Sequence, residues 1–180
     1  MQRSPTCSGR SLRTISNPAF VALAAFALTA TVIDIRTRRI PNALTAAMAG
    51  VGVGFAATGT SGVSLLASMA GFALGLALMM PGHALGATGA GDVKLMAAVG
   101  AMVGPGTVVT AFAFTAIAGG VMALAIAIRR QRLRATLAGT GKLIAGPTGA
   151  REHIGSASAS SRFAYGPAIA VGSLLAVLAR

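Results

Sequence analysis

Only three acidic side chains, Asp34, Asp92 and Glu152, accompany 15 lysines and arginines in this chain of 180 residues. Two of them, Asp34 and Asp92, border long uncharged runs, and ionisable groups at membrane depth are candidate functional groups by default. Two carboxylates close enough to share a proton can hydrolyse a peptide bond with neither a metal nor a covalent nucleophile. The ionised partner draws a proton from water while the protonated partner donates to the scissile carbonyl oxygen, and the titration belongs to the pair. Taken singly, Asp34-Ile35-Arg36 also reads as a salt-bridged boundary of a membrane segment. Keeping two acids at one depth, in a chain that discards nearly all others, favours a pair.

Other chemistries lack their residues. No His-Glu-x-x-His segment occurs, His83 and His153 are far apart, and the single cysteine, Cys7, excludes Cys-rich zinc motifs and an internal disulfide, so no metal or other cofactor is expected. No serine sits in a Gly-x-Ser-x-Gly elbow, and Cys7 lies in a polar tail. His83 reads as a polar cap near the end of a span. Around the second acid the sequence is Thr88-Gly89-Ala90-Gly91-Asp92-Val93-Lys94-Leu95. Gly89 and Gly91 leave the backbone bare, so that an extended substrate strand could approach and the helix could begin irregularly. The Gly-x-Gly lacks the Gly-Lys-Ser/Thr ending of a phosphate loop. Lys94 either helps to hold substrate or anchors the chain at lipid head groups, the second being favoured.

These residues need a scaffold, and composition says which kind. The chain is 54% apolar and 10% charged, with a mean hydropathy of +0.77, against roughly 25% charged residues in soluble domains. An all-α polytopic membrane bundle follows. The first uncharged, apolar stretch is 20–33. The next, 40–82, far exceeds the roughly 20 residues that cross a bilayer, so it must turn back at Thr58-Gly59-Thr60-Ser61-Gly62, which predicts spans at 43–57 and 63–80, the latter ending at Pro81-Gly82. A fourth helix must begin at or before Asp92 and stop at Gly104-Pro105-Gly106. Spans at 107–128 and 163–179 complete about six. Residues 1–17 form a polar tail, and 18–180 form the membrane-embedded domain with a basic loop at 129–162.

With that loop in the cytoplasm, 11 basic residues lie on the cytoplasmic side and four opposite, as the positive-inside rule prefers. Asp34, closing the first span, and Asp92, opening the fourth, then share the cytoplasmic face. The basic start followed by an apolar run also resembles a secretory signal, but no clear cleavage site follows and a retained helix is expected. Gly50, Gly52, Gly54, Gly71 and Gly75 read as small residues that let helices approach closely in lipid.

Three stretches resemble the type IV prepilin peptidase family, membrane aspartic proteases with a Gly-x-Gly-Asp signature. They are Asp34-Ile35-Arg36-Thr37-Arg38-Arg39-Ile40-Pro41-Asn42, Gly89-Ala90-Gly91-Asp92-Val93-Lys94-Leu95 and Ala164-Tyr165-Gly166-Pro167-Ala168-Ile169-Ala170. The resemblance spans about residues 18–179. It implies an aspartic endopeptidase in the bacterial plasma membrane, with Asp34 and Asp92 as the catalytic pair facing the cytoplasm. Arg36, Pro41, Asn42, Gly89, Gly91 and Lys94 would be motif or substrate-positioning residues. The implied substrate is a prepilin-like protein, cut after a short basic leader, commonly following a glycine and before an apolar helix. Larger relatives carry a cysteine-bearing cytoplasmic domain and methylate the new amino terminus. This chain has neither feature, so peptidase activity alone is expected, as in enzymes serving Flp or Tad pili. Ala164 stands where many relatives have proline, and the third stretch is assigned to packing or substrate positioning.

The alternative is a transporter or channel component whose aspartates bind protons or cations. Membrane lipids are expected partners, with the basic loop facing anionic lipid as a further possibility. Nucleic acid is not expected, because the basic residues sit at span ends and loops with little aromatic interleaving.

Overall fold

The computed structural model describes residues 17–85, 88–129 and 165–179. Among these residues all regular structure is helical, in six helices: α1 (Pro18–Thr37), α2 (Asn42–Ala57), α3 (Leu65–Ala84), α4 (Ala90–Val103), α5 (Pro105–Arg129) and α6 (Gly166–Leu178). The tail before Asn17, Cys7, Glu152, the basic loop beyond Arg129 and Ala164 fall outside the described residues.

Local chemistry accounts for the helix ends. Asn17 caps α1, its Oδ1 accepting from Ala19 N at 2.9 Å with Pro18 as the first helical residue, and Ser64 Oγ accepts from Ala67 N at 3.2 Å to start α3. Arg38, at φ 51, terminates α1 in the left-handed conformation. The turn between α2 and α3 uses Gly59 and Gly62 at φ 72 and 69, which only glycine adopts without a Cβ penalty. At Gly104-Pro105 the chain leaves α4 and restarts as α5, as the turn residues predict.

One boundary differs from expectation. Pro81-Gly82 does not stop α3, which continues to Ala84 with Pro81 inside it. Proline removes its own N–H donor and crowds the carbonyl one turn earlier, but its own carbonyl still accepts from Leu85 N at 3.1 Å, so the helix runs a further turn before His83 and Leu85 close it.

Three helices, α1, α3 and most of α5, are long and apolar enough to cross a membrane. Large apolar side chains face outward from them, Leu66 at 81% exposure and Ile117 at 64%. In water such a surface would drive association, whereas lipid tails solvate it, and a membrane helix bundle is the architecture. The short helix α4 packs against each of the other helices. In α4, 14 residues or about 21 Å long, eleven residues are buried, as a helix that is apolar all round must be. Gly71 and Gly75 of α3 make this close packing possible. A Cβ on Gly71 would strike the Gly100 carbonyl of α4, and one on Gly75 would strike the Met96 carbonyl. Ser68 also crosses the contact, donating to Ala101 O at 2.7 Å. Gly52 of α2 packs against Met102, while Gly50 and Gly54 face open space, so the packing role assigned to the small residues of α2 belongs to Gly52.

Candidate active site

Contacts of Gly166 with Asp34, Lys94 with Asn42, His83 with Thr88 and Gly91 with Ile40 gather the end of α1, the start of α2, the end of α3, the start of α4 and the start of α6 at one end of the bundle. Asp34 lies one turn before the end of α1 and Asp92 in the first turn of α4. Both are buried, at 5% and 7% exposure. Both lie at the same end of the bundle.

Each carboxylate is steadied by the backbone of a glycine. Asp92 Oδ2 accepts from Gly89 N at 3.0 Å, bridging the residue that caps α4 and the third residue of the helix. Acidic groups belong at that position, where unpaired N–H groups and the helix dipole favour negative charge. Asp34 Oδ2 accepts from Gly166 N at 2.8 Å, across 132 residues of sequence. Asp34 therefore points inward to the start of α6, while Arg36, two residues on and on a different face of α1, is exposed, so the salt-bridged boundary reading does not describe its contact.

The remaining motif residues are distributed around this centre. Gly91 is half-buried against Ile40, where a Cβ would lie 3.1 Å from Ile40 Cβ, so the bare backbone at this position meets the α1–α2 connection. Gly89 is exposed. Pro41 and Asn42 start α2, and Lys94 Nζ donates to Asn42 Oδ1 at 2.9 Å, tying α4 to α2 at an exposed position. His83 Nδ1 lies 3.1 Å from Thr88 O, a clip from the end of α3 to the segment that precedes α4. Among the described residues no cluster of three or more His, Cys, Asp or Glu could hold a metal.

One residue of the third motif reaches a carboxylate directly, which its expected packing or positioning role did not specify. Gly166 supplies the Asp34 contact, and Tyr165, the residue before it, packs its phenol against Gly119 of α5. The signal was present in the Tyr-Gly-Pro stretch, but nothing local indicates what a glycine N–H faces. Cavities open at the other end of the bundle, including one of about 260 Å³ beside Asn17, Phe20, Leu23, Val63 and Val177, remote from both aspartates.

Residues 21–124 match the model of the type IV leader peptidase family. The matched segment includes both aspartates and runs from α1 into α5. No curated protein and no solved structure matches the chain.

Proposed function

Because the chain belongs to the type IV leader peptidase family, we propose that it removes the leader of a prepilin-like protein at the cytoplasmic face of the bacterial plasma membrane, with Asp34 and Asp92 as its catalytic pair. The observation that supports this reading is the placement of Asp34 and Asp92, both buried, at one end of the bundle, each held by a glycine N–H.

The chemistry follows from a shared proton. Water held between the carboxyl groups loses a proton to the ionised one as its oxygen attacks the scissile carbonyl carbon. The protonated partner donates to the carbonyl oxygen, giving a neutral tetrahedral intermediate. Collapse of that intermediate breaks the C–N bond, with a proton passing to the leaving amine and the pair returning to its starting state. A substrate whose apolar helix lies in the bilayer would present its junction at the membrane surface, and the positions of Asp34 near the end of α1 and Asp92 at the start of α4 suit a site there. The absence of paired cysteines from the chain supports peptidase activity without amino-terminal methyl transfer, as in the small enzymes of Flp or Tad pilus systems.

The test is Asp34→Asn and Asp92→Asn, each made separately and assayed in membranes with a substrate carrying a basic leader, a glycine and an apolar helix. Each amide variant is expected to slow leader release by about 10³-fold or more. Release at the normal rate by both variants would sink the reading, and ion movement that depends on these residues, without cleavage by the unaltered protein, would point to transport.

A further inference from the structure

We propose that Gly166 is a positioning residue for Asp34: the first N–H of α6 holds one carboxylate oxygen, and the missing side chain at residue 166 leaves the volume that the carboxylate occupies. The consequence for rate rests on the reading of Asp34 as half of a catalytic pair. The contact itself does not.

Three observations carry the proposal. First, the Gly166 N–H lies among the opening donors of a helix, which have no acceptor within the helix, and Pro167 beside it has no N–H at all. The residue that caps α6, Tyr165, offers no side-chain hydrogen bond to the helix. Asp34 fills this role from another helix, its Oδ2 2.8 Å from Gly166 N in a buried contact. Second, the contact excludes a side chain. A Cβ on Gly166 would lie 2.8 Å from Asp34 Oδ2, 3.0 Å from its Cβ and 3.2 Å from its Cγ. The side chain that must give way is short, and its staggered positions are restricted by the helix that bears it. Third, the start of α6 is seated on its other side as well. The Tyr165 ring lies against Gly119 of α5, where a Cβ would run into the phenol. The N–H is thus presented from a site wedged between α1 and α5, and Asp34 is aimed by α6 as much as by its own helix.

A double-variant cycle separates positioning from simple packing. Asp34→Ala, Gly166→Ala and the double variant are prepared as full chains in detergent, and their unfolding midpoints are compared with that of the unaltered protein. Gly166→Ala is expected to lower the midpoint by roughly 5 °C where Asp34 is present and by less than half of that where Asp34 is alanine, because the carboxyl group is then gone and only the 3.0 Å approach to the residue-34 Cβ remains. If Gly166→Ala alone does not accumulate, the double variant is expected to do so.

With a leader-bearing substrate, Gly166→Ala is expected to reduce kcat by about 10²-fold and to change KM by less than about threefold, the pattern of a misplaced catalytic group. Additive midpoint shifts, or failure of Asp34→Ala to restore a variant that does not accumulate, overturn the contact. Coupled midpoints with an unchanged kcat, in a protein that Asp34→Asn inactivates, overturn the positioning role. Cleavage that survives Asp34→Asn defeats the catalytic reading instead, and the midpoints still report on the contact.

Discussion

Asp34 and Asp92 reach one end of the bundle with different kinds of support. Asp92 is held from within its own segment, its carboxylate bonded to an N–H three residues earlier, at the start of the helix that carries it. Asp34 is held from outside, by an N–H 132 residues away on a helix that must first be packed against α1. A local tether survives as long as its helix forms, whereas a distant one requires the whole bundle to be assembled. The two halves of the pair therefore differ in sensitivity: Asp92 to where α4 lies, Asp34 to how α6 is seated.

The harshest test of that difference moves the platform under Asp92. Replacing Gly100 by leucine sets a side chain against the Gly71 carbonyl, where even a Cβ has no room. The expected cost is about 3 kcal/mol or more, seen as loss of the folded form in detergent or a steep fall in its unfolding midpoint. A well-folded variant would show that α3 and α4 can separate without harm.

A milder change probes the local tether. Gly89→Ala keeps the N–H that Asp92 accepts, at a φ of −75 that alanine adopts freely, and its Cβ would lie 3.2 Å from Asp92 Oδ2. Stability should change by no more than about 1 kcal/mol, and leader release should fall less than about tenfold, well short of the loss expected at Gly166. A Gly89 variant slower than its Gly166 counterpart would reverse the comparison.

The smallest effect belongs to Lys94→Met, which removes an exposed hydrogen bond to Asn42 while leaving both carboxylate contacts alone. Its unfolding midpoint should correspond to a change within about 0.5 kcal/mol. A larger loss would make the tie between α2 and α4 part of what holds Asp92 in place.

Much of this arrangement is legible in the residues themselves. Uncharged runs broken by Thr58-Gly59-Thr60-Ser61-Gly62 and Gly104-Pro105-Gly106 mark the turns, because glycine and proline alter the backbone wherever they stand. Pro81 shows the limit of that rule, since a proline near a helix end costs one donor and the turn beyond it can still form. The glycines of α3 read as packing residues, and Gly71 and Gly75 do pack, but the partner helix is not written in their spacing. Nothing in the run from Tyr165 to Ala170 tells that its glycine faces Asp34 or that its tyrosine rests on Gly119.

By itself the sequence determines that the chain forms apolar helices, roughly where each turns, and that one aspartate falls near the end of the first helix and another at the start of the fourth. These properties depend on hydropathy and backbone chemistry within a few residues. Tertiary structure alone decides that the start of α6 meets the end of α1, so that an N–H becomes a partner for Asp34 and a missing Cβ becomes its room. Contacts between distant segments depend on which surfaces fit together, and no local pattern encodes that fit.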